Sequence, residues 1–227
     1  MEILQNIPIT IDRQVLFAQA HIRPESEDDR ILSELIAAIE PGIRPKAIYQ
    51  RAYIDGKDEQ GVTIAGKRFT SAVLSVNLAQ IERVFPFIAT CGVEVEELTR
   101  PHTDLLHQYV LDLLKEQVLR AAIAHLLDCV RTRHAPGQIA IMNPGSLADW
   151  PLTEQRPLFA LFGDVKRLIG VELTDSFLMS PVKSVSGIIF PTHASFENCQ
   201  LCPREVCPNR RAPYNQTLAE EKYHLSM

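Results

Sequence analysis

Apolar positions follow two rhythms along the chain. After Ser26 and the acidic run Glu27-Asp28-Asp29, Ile31, Leu32, Leu35, Ile36 and Ile39 return at helical spacing. A serine followed by acids is a helix-start signature, because its hydroxyl and their charge satisfy the first free N–H groups. Pro41-Gly42 ends that helix. Lys46 to Ile54 is rich in β-branched and aromatic residues and runs into Asp55-Gly56, which predicts a strand and then a turn. A second strand is expected around Val62 and Ile64, between Gly61 and Gly66. The first ninety residues thus read as alternating helix and strand, an α+β pattern.

From His102 to Ala135 there is neither Gly nor Pro. Leu106, Val110, Leu113, Leu114, Ile123, Leu126, Leu127 and Val130 lie on one broad stripe, and Thr103 or Asp104 can cap the start. The pattern predicts a long helix that serves as the core spine. Cys129 reads as a small buried hydrophobe within it, and His125 as a core-edge or surface histidine. After Pro136-Gly137 come a strand (138–142), a turn at Asn143-Pro144-Gly145 and a helix starting near Thr153. Strands are expected over 170–174 and 185–190. Glu94, Glu96 and Glu97 read as the polar face of a helix after Gly92.

Composition narrows the classes. Of the 227 residues, 46% are hydrophobic and 22% charged, which is a folding chain rather than a disordered one. The best apolar run, Val84 to Val93, is broken by Pro86 and Gly92 and is too short to span a bilayer. The opening residues carry acidic Glu2 and no basic stretch before an apolar one, so a cytoplasmic location is expected. A net charge of −5 argues against a nucleic-acid partner, since binding there needs basic surface to displace counterions. There is no GxGxxG, P-loop, GxSxG or HExxH motif and no evident nucleophile–base pair, which leaves open whether the chain is itself an enzyme.

One segment is more informative. Thr174 to Phe190, TDSFLMSPVKSVSGIIF, interrupts an apolar strand with Ser184, Ser186 and Gly187, small residues that permit close approach of a backbone or a ligand. It resembles the "TESFAMWPGASVSG" strand pair of the activation domain of cobalamin-dependent methionine synthase. Asn143-Pro144-Gly145 with Asp149-Trp150-Pro151 resembles that family's Pro-Gly loop before a helix, and Phe85 to Gly92 (FPFIATCG) resembles its segment before the long helix. The resemblance covers residues 80–190 best and the N-terminal part more weakly. It implies a curved α+β unit around an antiparallel sheet, here over residues 1–195; residues 196–227 read separately, as a cysteine-rich tail. It also implies a shallow S-adenosylmethionine groove, docking on a corrinoid-carrying protein or methyltransferase, and reductive methylation of cob(II)alamin. Cobalamin would enter only through that partner. The residues placed in such a groove are Asn143, Pro144, Gly145, Ser184, Val185, Ser186 and Gly187. The family's carboxylate-binding Arg is replaced by Ile141, and its two Tyr by Ser146 and Ile189. An apolar side chain cannot pair with a carboxylate, so S-adenosylmethionine affinity is expected to be weak or absent.

The tail is not accounted for by the resemblance. Cys199, Cys202 and Cys207 crowd into nine residues, with Pro203 and Pro208 opposing regular structure, while Cys91 and Cys129 stand apart. Thiolates at this spacing can converge on one metal, and an odd cysteine count without a signal peptide fits metal or redox work better than a disulfide framework. The expectation is an iron–sulfur cluster ahead of zinc, held by Cys199, Cys202 and Cys207, with Cys91 as fourth ligand and His193 as its rival. A cluster there would relay electrons to the corrinoid; zinc would only hold the tail in place. The segment after Cys207 is polar and basic, then acidic, and is expected to be only loosely attached. Three free cysteines in a mobile tail, or a partly formed disulfide, is the alternative to a metal.

Overall fold

The computed structural model describes residues 1–192, 196–207 and 210–225. In chain order the elements are β1 (Glu2–Leu4), α1 (Arg13–Gln19), α2 (Glu27–Ile39), β2 (Lys46–Tyr49), β3 (Ala52–Asp58), β4 (Gly61–Ile64) and β5 (Lys67–Thr70). Then follow α3 (Ala72–Asn77), β6 (Arg83–Thr90), α4 (Val93–Thr99), the long α5 (Leu105–Arg133) and β7 (Ile139–Met142). The chain continues through α6 (Gln155–Ala160), α7 (Val165–Ile169), a small β8 (Glu172–Leu173) and β9 (Met179–Ser180) pair, and β10 (Ser184–Pro191). Every strand pairing among the described residues is antiparallel, as the α+β reading expects. No described helix is long and apolar enough to cross a membrane.

β6 is the centre. One of its edges pairs with β10, which in turn pairs with β7; the other pairs with β2 and then β3. The strand predicted over 46–54 runs along β6 in one register, Lys46 opposite Thr90 and Ala52 opposite Val84, divided only at Gln50–Arg51. The turn expected at Asp55-Gly56 is instead an irregularity in the β3–β4 pairing, and the chain reverses at Glu59-Gln60. A bulge admits the extra residue without ending the strand.

Alternation along β6 sends Phe85, Phe87 and Ala89 into one core and Val84 and Ile88 into a second on the opposite face. The first core lies under α1, α2, α4 and α5; the second lies under α3, α6, α7 and the C-terminal segment. With both faces covered, β6 is apolar on both sides from Val84 to Ala89, Pro86 included. α5 begins at Asp104, whose carboxylate accepts from the His107 N–H at 3.0 Å, and it buries Val110, Leu111, Leu114, Val118, Ala122, Leu126 and Val130. The predicted stripe held four of these buried positions; Leu106, Leu113, Ile123 and Leu127 are only partly buried at its rim.

Two expectations are corrected. The strand predicted over 170–174 begins instead as a helix end: Gly170, at φ +79°, caps α7, and only Glu172–Leu173 pairs. Gly adopts that left-handed geometry at no steric cost. The segment after Cys207, expected to be loosely attached, is anchored: Ala219 and Tyr223 are buried in the second core, and the Tyr223 hydroxyl donates to Asn77 Oδ1 at 2.6 Å.

Leu114 is fully buried at the middle of α5. Leu114→Ala should therefore cost about 2–5 kcal/mol in denaturant unfolding; a cost near zero would show that α5 is not the spine of the first core.

Candidate functional site

The Pro-Gly loop is built by fastening. Asn143 follows β7, and its Nδ2 donates to the Ser186 carbonyl of β10 at 2.8 Å. The Gly145 N–H donates to the Trp150 carbonyl at 2.7 Å, with Gly145 at φ +82°, and the Ser146 N–H returns to the Asn143 carbonyl at 3.1 Å. Trp150 is fully buried, edge-on to Phe69 at 6.4 Å between centroids. Asp149 accepts from the Ser71 hydroxyl and from the N–H groups of Ala72 and Val73, both at 3.1 Å. It thereby satisfies free donors at the start of α3, beside the Ser71 cap. Glu154 accepts from the Thr70 N–H at 2.8 Å. Two carboxylates and a buried indole thus pin the loop to β5 and α3. The sequence contained Asp149 and Glu154 but gave no sign of these partners, which lie 78 and 84 residues earlier.

On β10, the Ser184 hydroxyl donates to Thr90 Oγ1 at 2.9 Å or the Pro181 carbonyl at 2.7 Å, and Val185 packs against the first core. Ser186 is buried, and its hydroxyl has no partner among the described residues. A Cβ added at Gly187 would lie 2.5 Å from the Met142 carbonyl oxygen, 2.6 Å from Asn143 Nδ2 and 2.9 Å from a Phe87 ring carbon. Gly187 therefore permits the close approach of the β7 end, whose Met142 carbonyl and Asn143 side chain occupy the space beside it. Ile141 and Ile189 are cross-strand partners, the first half-buried and the second fully buried, both against the first core. Ser146 is exposed. None of the three supplies a charged partner for a carboxylate.

The metal ligands expected from the sequence are not brought together. Cys91 is fully buried in the first core, where burial and then the Glu96 carboxylate push its thiol up to about 12. A thiol held so firmly protonated is a poor ligand, since metals bind the thiolate. Cys202 packs against the second core, on the other face of the sheet. Among the described residues no group of three His, Cys, Asp or Glu side chains is gathered to hold a metal ion. His193 and Pro208 lie outside the described residues. Cys129 is buried as expected, but it sits one turn from His125, with its sulfur 3.7 Å from Nε2. Glu94 and Glu96 are more than a solvated face: they pair with Lys46 at 2.6 Å and Lys115 at 3.3 Å, and Lys183 beside Cys91 pairs with Asp112 at 2.9 Å.

The tail cysteines occupy their own setting. Cys199 lies in a 3₁₀ turn, Asn198–Leu201, and its sulfur accepts from the Arg211 N–H at 3.5 Å. Burial opposes ionisation of the Cys199 thiol, but the N–H groups of Arg211 and Ala212 and the Arg211 charge outweigh it and hold the thiol below its ordinary value. Arg210 does not neutralise thiolates; its guanidinium is spent on the carbonyls of Cys199, Cys202, Arg204 and Ala212.

Residues 142–200 match the family described as vitamin B12 dependent methionine synthase, activation domain. The matched span runs from the last residue of β7 through the pinned loop and β10 into the tail turn. Among solved structures, the chain is similar to a MetH reactivation domain bound to AdoHcy, with a TM-score of 0.60 at 16% identity, over 88% of this chain and 82% of that one. Among curated proteins none matches the chain in sequence. The fold is that of the methionine synthase reactivation domain. Of the three sequence segments, the Pro-Gly loop and Thr174–Phe190 lie in the span matched to the family, and Phe85–Gly92 lies before it.

Pinning by Asp149 is testable. Asp149→Ala leaves the Ala72 and Val73 N–H groups without their acceptor and should cost about 1–3 kcal/mol in chemical unfolding. Gly187→Ala should also destabilise, because the added methyl meets backbone that cannot retreat cheaply. If Gly187→Ala melts with the parent protein, the tight junction of β10 and β7 is wrong.

Proposed function

We propose that this chain docks on a corrinoid-carrying protein and supports the return of inactive cob(II)alamin to its methyl form, with S-adenosylmethionine as methyl donor. The observation that carries the reading is the family match over residues 142–200, the stretch that contains the pinned loop and β10. It is supported by the fold shared with a reactivation domain crystallised with AdoHcy, the compound left when S-adenosylmethionine gives up its methyl group. The conversion needs one methyl group from the sulfonium and one electron, which we assign to a separate low-potential donor. The cluster relay expected from the tail cysteines finds no support, because Cys91 and Cys202 lie on opposite faces of the sheet.

The donor site differs from the family pattern. Ile141 and Ile189 leave the methionine carboxylate without a bidentate cation, so the free protein should hold S-adenosylmethionine only weakly. Docking would compensate by raising the effective concentration of methyl donor beside the cobalt. β7 is an edge strand and Ile141 is half-buried, so a longer side chain there can run its stem over apolar surface and place its charge in water.

Calorimetric titration with S-adenosylmethionine should therefore give a Kd weaker than micromolar, and Ile141→Arg should tighten it by about tenfold, or ~1.4 kcal/mol. Micromolar or tighter binding by the parent protein would contradict the carboxylate argument. With a cobalamin-loaded methionine synthase corrinoid domain, a one-electron reductant and S-adenosylmethionine, the chain should speed replacement of the cob(II)alamin spectrum by that of methylcobalamin. No acceleration at any chain concentration would remove the proposed role.

A further inference from the structure

We propose that Cys199 and Cys202 form a redox-active dithiol, with Cys199 as the attacking thiol and low-molecular-weight disulfides as its oxidants. This inference stands independently of the corrinoid reading.

Geometry carries it. The two cysteines open and close a single turn, in which the Cys202 N–H donates to the Cys199 carbonyl at 3.3 Å. A four-residue turn closed in this way keeps its end Cα atoms within about 7 Å, close to the upper end of the separation a disulfide spans. The turn is held from several sides. The Glu197 N–H donates to Gln200 Oε1 at 2.9 Å, and Leu201 is buried in the second core. The Asn215 N–H donates to the Gln200 carbonyl at 2.9 Å. Arg210 reaches the Cys199 carbonyl at 3.1 Å and the Cys202 carbonyl at 3.3 Å, tying the two cysteine backbones to one planar group. Both residues are half-buried rather than sealed in the core, which leaves them open to a small oxidant.

Polarity assigns the roles. Cys199 Sγ receives the Arg211 N–H at 3.5 Å, and the Arg211 guanidinium is itself held by Glu197 at 3.1 Å. A thiolate is the attacking species in exchange, and N–H donors with a nearby cation favour it. The Cys199 thiolate attacks a disulfide RSSR, forming a mixed disulfide and releasing RS⁻. The Cys202 thiol then gives up its proton and attacks Cys199 Sγ, expelling the second thiolate. The sum is two cysteine thiols and RSSR giving one internal disulfide and two RSH. A metal centre needs three convergent donors, which the described residues do not gather; this exchange needs only the two that the turn already pairs.

Oxidised glutathione tests it on the full chain. Trypsin releases Cys199 and Cys202 in one peptide, Ser184–Arg204, and Cys207 in another, Glu205–Arg210. The first peptide should become lighter by two hydrogens while Cys207 remains free. Cys199→Ser should slow thiol loss by about tenfold, and Cys202→Ser should trap glutathione on Cys199. Arg210→Ala, with an unchanged melting profile as its control, should slow ring closure more than the first attack. Three results would overturn the proposal: the two peptides joined through Cys207, glutathione spread evenly over all three tail thiols with no internal bond, or stoichiometric zinc or iron whose chelation is needed before any thiol reacts.

Discussion

Burying β6 on both faces obliges the chain to build a core on each side of the sheet. Phe85, Phe87 and Ala89 need the cover that α5 provides, and Val84 and Ile88 need a second cover that no single helix supplies. That second cover is assembled from α3, α6, α7, the Trp150 loop and the C-terminal segment, and each piece is short. Short pieces bury too little surface to hold themselves, so they are tied to one another by polar groups. Asp149 on α3, Asn143 on β10, and Tyr223 on Asn77 are those ties.

The same constraint orders the candidate chemistry. Because β10 lies between β6 and β7, its small residues are used for packing, and Gly187 is occupied by the Met142–Asn143 backbone. On the free edge of β7, Ile141 stays half-buried. The sheet also separates the cysteines. Cys91 is sealed in one core with its thiol kept protonated, while Cys202 packs against the other core and Cys199 accepts from the Arg211 N–H.

Much of the architecture was legible in the sequence for local reasons. Ser26 with its acids, Asp104, and the stripe through Val110 and Leu114 act within a few residues, and the structure uses them as read. The register of 46–54 against β6 could not be read, because it depends on a partner some forty residues away. Anchoring of the segment after Cys207 is illegible for a similar reason: Ala219 and Tyr223 look sparse in a polar stretch, and only the opposite wall of the second core buries them. At the site, the motif residues were identified but their work was not. Asp149 caps a helix distant in sequence, and Gly187 makes room for backbone, neither of which spacing can reveal. Cysteine spacing suggests a metal site, whereas the structure sets Cys199 and Cys202 at the two ends of one turn and seals Cys91 in the core on the other face of the sheet.

The central functional claim is that this chain recognises a corrinoid protein, and direct binding tests it without relying on turnover. Sedimentation velocity of the full chain with a cobalamin-loaded methionine synthase corrinoid domain should show a one-to-one complex. That complex should be tighter with cob(II)alamin than with methylcobalamin, since the inactive form is the one to be repaired. Two species that sediment independently in both cobalamin states would contradict the account.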